Sequence, residues 1–125
     1  MIRGEEDTEH LLGLIGPDIQ LVIPRLVAVE VTRNLTERPQ QKAFFRLFRK
    51  NENALIIDGP IPPRLIARYM ALGLAEKGDA LIGAFAEWMR VDFLISDNRH
   101  FLSELRTDAY QLLTPAGFLE AIAKL

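Results

Sequence analysis

The chain has no cysteine. That removes disulfides, thiolate zinc sites and cysteine nucleophiles together, and it leaves a reducing cytoplasm as the expected compartment. Histidine is nearly as scarce: His10 and His100 are the two, and without cysteine they make no zinc signature. The only serines, Ser96 and Ser103, lie in no nucleophile elbow, which sets a serine hydrolase aside. The eight glycines are scattered, so no glycine-rich loop is available to cradle a nucleotide phosphate. No apolar run approaches the roughly 18 residues that span a bilayer. The opening residues, Met1 to Asp7, lack the apolar stretch of a signal peptide, so none is expected. Charge of one sign is also missing. A net charge of −2 exerts no global pull on nucleic acid, and any such binding must come from a local patch.

What is present reads as one folded domain covering residues 1–125. A 49% hydrophobic and 26% charged composition excludes wholesale disorder, and a chain of this length buries roughly two thirds of its unfolded surface. Helical spacing of apolar residues predicts helices over 5–15, 24–35, 42–50, 64–75, 79–89 and 115–124. Pro24 suits the first turn of the second helix, where its missing N–H is no loss, and Pro39 is read as preventing that helix from continuing. In the fifth helix Ala80, Leu81, Ala84, Phe85 and Trp88 are expected to point inward. Short apolar runs predict strands over 19–23, 54–57, 93–95 and 110–113. Strands alternating with amphipathic helices imply an α/β fold whose parallel sheet is covered on both faces. In such folds ligands bind beyond the carboxyl ends of the strands.

Three places near those ends carry polar residues. Glu30 lies in the otherwise apolar stretch Leu26-Val27-Ala28-Val29-Glu30-Val31. It is read either as an ion pair with Arg33 one turn on or as a carboxylate kept for a cation or a rim position. Asp79, in Lys77-Gly78-Asp79-Ala80-Leu81-Ile82, is read either as a helix N-cap or as a site residue. Ser96-Asp97-Asn98-Arg99-His100-Phe101 follows a strand, and its plain reading is a turn closed by side chains that bond the local backbone. A basic face is present too. Lys42, Arg46, Arg49 and Lys50 share one side of a helix, with Phe44 and Phe48 on another, and this is either an RNA phosphate contact or a solvated face.

In this order and setting the motifs resemble the PIN-domain family. The family pattern has a Glu on a helix after a strand, as in Val29-Glu30-Val31. An Asp then opens a later helix after a short turn, as in Lys77-Gly78-Asp79. A Thr/Ser-x-Asp/Asn-x-x-Phe motif follows a further strand, as in Ser96 to Phe101. The ending Leu112-Leu113-Thr114-Pro115-Ala116-Gly117-Phe118-Leu119 is similar to the family's strand–Thr-Pro–helix finish.

The resemblance implies a three-layer α/β/α domain with a central parallel sheet. It also implies a ribonuclease, with Mg²⁺ or Mn²⁺ held by acidic residues that converge at one end of the sheet. Glu30 and Asp79 would be metal carboxylates, Asn98 and Ser96 would fill the family's Asp/Asn and Thr/Ser positions, and Asp97 would supply charge that Asn98 lacks. His100 stands where many members have a further Asp. The family opens on a central strand ending in Asp-Thr-Asn, and this chain is expected to lack it: Asp7-Thr8 follows no strand and reads as first-turn acid chemistry. A start upstream of Met1 or a fragment is preferred over a sheet completed by another subunit. The open edges that such a loss leaves imply a homodimer. Membership among toxin–antitoxin toxins would imply an antitoxin protein and RNA as partners. A non-catalytic RNA-binding or protein-association module is the alternative.

Overall fold

The computed structural model describes residues 2–35, 37–74, 76–98 and 100–124, and of residues 2–6, 8, 34 and 100 it describes the backbone alone. In chain order the elements are α1 (Ile2–Gly13), β1 (Leu21–Pro24), α2 (Arg25–Asn34), α3 (Arg38–Lys50), β2 (Ala54–Ile57), α4 (Pro63–Ala71) and α5 (Lys77–Trp88). β3 (Phe93–Ile95), a π-helical turn (His100–Glu104), β4 (Gln111–Leu113) and α6 (Pro115–Ala123) follow. The chain is mixed α/β, and its strands pair in parallel. β1 runs beside β2 with Leu21 opposite Ala54, and β3 beside β4 with Phe93 opposite Gln111. Each pair forms a two-stranded sheet. Parallel neighbours require a crossover; α2 and α3 supply it for the first pair.

The chain divides into two compact units, a larger one of residues 1–11 and 60–125 and a smaller one of residues 12–59. The larger unit is built on a small-residue face of α5. Ala80, Gly83 and Ala84 recur at helical spacing and are buried, which lets Tyr69 of α4, fully buried at 0% exposure, lie close against α5. A Cβ at position 83 would come within 2.8 Å of the Tyr69 ring and 2.9 Å of the Leu74 side chain. Glycine mid-helix costs about 1 kcal/mol against alanine, and here the close helix–helix approach offsets it. Leu74, Ala86, Phe101, Leu105 and Tyr110 complete the core.

The two tyrosines tie that core together. Their rings stack with centroids 6.3 Å apart and planes within 6°. The buried Tyr110 hydroxyl donates to the Gly83 carbonyl at 2.9 Å. The Tyr69 hydroxyl donates to Glu87 at 2.9 Å and lies 3.2 Å from the Thr107 hydroxyl; Arg68 pairs with the same Glu87 carboxylate. Burial pushes the pKa of both phenols above 10, further for Tyr110 than for Tyr69, because an apolar surrounding penalises the phenolate.

Three local expectations are corrected in this unit. α4 stops at Ala71 rather than running to 75 (Ala75 itself lies outside the described residues), because Gly73 adopts φ +123°. The Gly73 N–H then bonds the Met70 carbonyl and the Leu74 N–H the Tyr69 carbonyl, the paired bonds of a glycine-terminated helix end. A side chain at Gly73 would also sit 2.1 Å from the Glu104 carbonyl oxygen. Phe85 is buried as expected, at 4% exposure, but Trp88 is 36% exposed. It is the last residue of α5 and reaches Phe85 only at a centroid distance of 6.5 Å. Tyr110 precedes β4 rather than opening it, since its side chain serves the core.

The smaller unit packs differently. Among its described residues only Pro24, Ala28 and Ala54 are buried, and α3 buries none. Pro24 ends β1 and is the N-cap of α2, which begins at Arg25, one residue later than expected. Polar bonds do much of the fastening: the Asn51 amide donates to the Ile15 carbonyl at 3.3 Å, and the Gln41 amide to the Leu35 carbonyl at 2.7 Å. Arg25 pairs with Asp58 at 3.1 Å on the surface. α3 begins at Arg38 rather than 42. Pro39 falls in its first turn, where a proline starts a helix as readily as it would block one further on.

Candidate functional site

Glu30 sits on α2 of the smaller unit and is exposed. The ion pair with Arg33 is not formed, and Glu30 has no hydrogen-bond or ion-pair partner among the described residues. Asp79 belongs to the larger unit, in the first turn of α5, and is partly buried. It does not cap that helix. The N-cap is Glu76, without a side-chain bond, and Asp79 is also without a partner among the described residues. Its remaining structural role is a favourable interaction with the helix N-terminus, worth about 0.3–1 kcal/mol. The local duties that sequence assigned to these two carboxylates, pairing and capping, are therefore both unfilled.

The loop after β3 keeps its plain role. Ser96 extends the strand pairing through its N–H to the Leu113 carbonyl at 3.0 Å, and its hydroxyl accepts from the Asn98 N–H at 2.9 Å. That bond fixes the turn which presents Asp97, exposed. The Asn98 carbonyl accepts from the Leu102 N–H at 3.2 Å, which joins the loop to the π-helical turn. Phe101, 2% exposed, anchors that turn in the core. Arg99 and the His100 side chain lie outside the described residues.

Carboxylate and amide oxygens are the donors a hard divalent cation takes, so the residue types fit Mg²⁺ or Mn²⁺. Their number does not: among the described residues no three acidic or histidine side chains come together as a metal site.

The basic face is continuous and longer than the sequence suggested. Lys42, Arg46, Arg49 and Lys50 are all exposed, and Arg38 joins them one turn earlier. Arg38, Gln41, Lys42, Phe45 and Arg49 line an open groove of about 360 Å³ along α3. Arg38 and Gln41 lie outside the expected helix over 42–50, because reading Pro39 as a barrier starts that helix too late, and Phe45 lies within it beside the Phe44 and Phe48 named there. The spacing 38, 41/42, 45, 49 is the available signal, since each step of three or four residues is about one helical turn. Among the described residues no helix is long and apolar enough to cross a membrane. The chain matches no protein-family model, no curated protein and no solved structure.

Proposed function

We propose that this chain is a PIN-like, metal-dependent endoribonuclease of the cytoplasm. In this reading it is a three-layer α/β/α domain that cuts RNA phosphodiesters, with an antitoxin protein as its regulatory partner. The observation that carries the reading is the idleness of Glu30 and Asp79. A carboxylate without a cap or ion-pair role is free to serve a cation, and these are the two positions at which the sequence resembles the family's acidic motif. Parallel strand pairs with polar residues just beyond β3 also support it, because ligands of such folds gather beyond the strand ends.

In this reading Glu30, Asp79, Asp97 and Asn98 would be the residues that hold Mg²⁺ or Mn²⁺, as the resemblance to the family implies for each of these positions. Ser96 holds the loop that carries Asp97 and Asn98. The chemistry such a cation would supply is a lowered pKa for a bound water and compensation of charge on the phosphate. So few ligands leave the cation largely hydrated, so binding is weak and turnover slow. The test is cleavage of a labelled single-stranded RNA with Mn²⁺ or Mg²⁺. Slow, metal-dependent cutting is expected, abolished by Asp79→Asn with the thermal melt nearly unchanged. Cutting that is insensitive to both Glu30→Gln and Asp79→Asn refutes the assignment.

A second reading, a non-catalytic RNA-binding module, is favoured by one specific feature, the cationic face of α3. RNA bound but never cut at any metal concentration would decide for it.

A further inference from the structure

The groove on α3 has a composition that narrows what it binds. Over its 13 residues α3 carries Arg38, Lys42, Arg46, Arg49 and Lys50 and no acid. At 100° per residue these five fall within an arc of about 120°, all of them exposed. Steps of four residues advance about 6 Å along the helix, which sets the cations in a row along the helix rather than in a cluster. Such a row follows a charged strand. A compact anion would be met by a cluster.

Phe45 is the second element. It is 44% exposed and lines the groove with Lys42 and Arg49. Its ring is held edge-on against Phe44 at 5.5 Å, and Phe44 in turn packs on Phe48 at 5.1 Å. The other large apolar residues of α3, Phe44, Leu47 and Phe48, are partly buried. That leaves one aromatic on the cationic side, too little apolar surface for a helix that inserts into a membrane interface. An exposed ring flanked by cations is the arrangement that stacks a base while phosphates are neutralised beside it. Bases are available for stacking in single strands and are hidden inside a duplex.

We infer that α3 is a binding surface for single-stranded RNA, with Phe45 stacking a base and Arg38, Lys42, Arg46, Arg49 and Lys50 taking successive phosphates. This rests on the RNA reading above and deepens it by naming the helix face and the residues that hold the strand, and it requires no metal.

The test is fluorescence anisotropy of a labelled oligouridine against a labelled RNA hairpin, in EDTA, over a range of KCl concentrations. The expected result is tighter binding of the single strand than of the hairpin. Phe45→Ala should weaken it about tenfold, the scale of one lost base stack, without changing the salt dependence. The pair Lys42→Gln, Arg49→Gln should lower the slope of log K against log salt by about 1.4, the value for two phosphates on a single strand. Arg64→Gln, an exposed cation on α4, is the control and should change neither. Equal binding of hairpin and single strand, or no effect of Phe45→Ala in a variant with unchanged circular dichroism, overturns the inference. So does Phe45-dependent binding to phosphatidylserine vesicles in place of RNA. Binding in EDTA by a chain that cuts nothing with Mn²⁺ sinks the nuclease reading and supports this one. Cleavage with Mn²⁺ but no α3-dependent binding in EDTA does the reverse.

Discussion

The larger unit buries many of its big side chains while Met70, Trp88 and Leu102 stay exposed, and the smaller unit buries none of its big apolar side chains among the described residues. Tyr69, Leu74, Phe85, Phe101, Leu105, Tyr110 and Phe118 are buried in the first. Among the described residues of the second the buried side chains are Pro24, Ala28 and Ala54, while Leu14, Val29, Phe45 and Leu55 are exposed. Burial of apolar area is the main favourable term in folding, so stability concentrates in the larger unit. The smaller unit displays what it has: the free carboxylate of Glu30 and the cationic face of α3. A unit with little interior can devote its surface to binding, and its order then depends more on neighbours and ligands.

The largest test of that contrast is to empty each unit in turn. Tyr69→Ala should cost about 3–5 kcal/mol, the usual effect of removing a buried aromatic side chain. It is read by chemical denaturation with the fluorescence of Trp88, the single tryptophan, which lies in the larger unit. Leu55→Ala, at a side chain 49% exposed, should cost below about 1 kcal/mol. Similar losses at the two positions would break the comparison. Tyr110→Phe sharpens it: the Gly83 carbonyl loses its buried donor, and stability should fall by about 1–3 kcal/mol.

Alkaline titration gives a smaller effect. Both tyrosines belong to the larger unit, and both hold their protons more tightly folded than unfolded. Above about pH 10 the unfolded chain therefore binds fewer protons than the native one, and stability falls as pH rises. Below that pH the contribution is fully present. Denaturation midpoints read by Trp88 fluorescence should drop between about pH 10 and 12, and drop less in Tyr110→Phe. A flat profile would mean that the phenols are not desolvated. Trp88→Ala, at a ring on the rim, should cost about 1 kcal/mol or less, read by circular dichroism because the variant has no tryptophan.

Much of the fold was legible because the relevant forces are local. The strands at 54–57 and 93–95 stand where short apolar runs between turn residues set them, and Thr114 caps α6 through a bond from the Gly117 N–H. The misses have a shared cause. The expected helices run through Gly73, start after Pro39 and turn Trp88 inward on periodicity, whereas position decides each of them: a positive φ beside the Glu104 backbone, the first turn of a helix, and the last. The π-helical turn at 100–104 had no sequence signal, because Phe101 and Leu105 form it by docking into a core assembled from distant residues. At the candidate site the residue types were readable, and so were the competing roles. Only coordinates could show that Asp79 caps nothing and that Glu30 pairs with nothing.

Calorimetric titration of Mn²⁺ into the full chain and into the double variant Glu30→Gln, Asp79→Asn tests most directly whether those two carboxylates are free in order to serve a cation. Weak binding to the wild-type chain is expected, roughly millimolar for a site with few protein oxygens, and it should vanish in the variant while the melt is retained. Micromolar affinity that survives the double change would place the metal elsewhere and contradict the account.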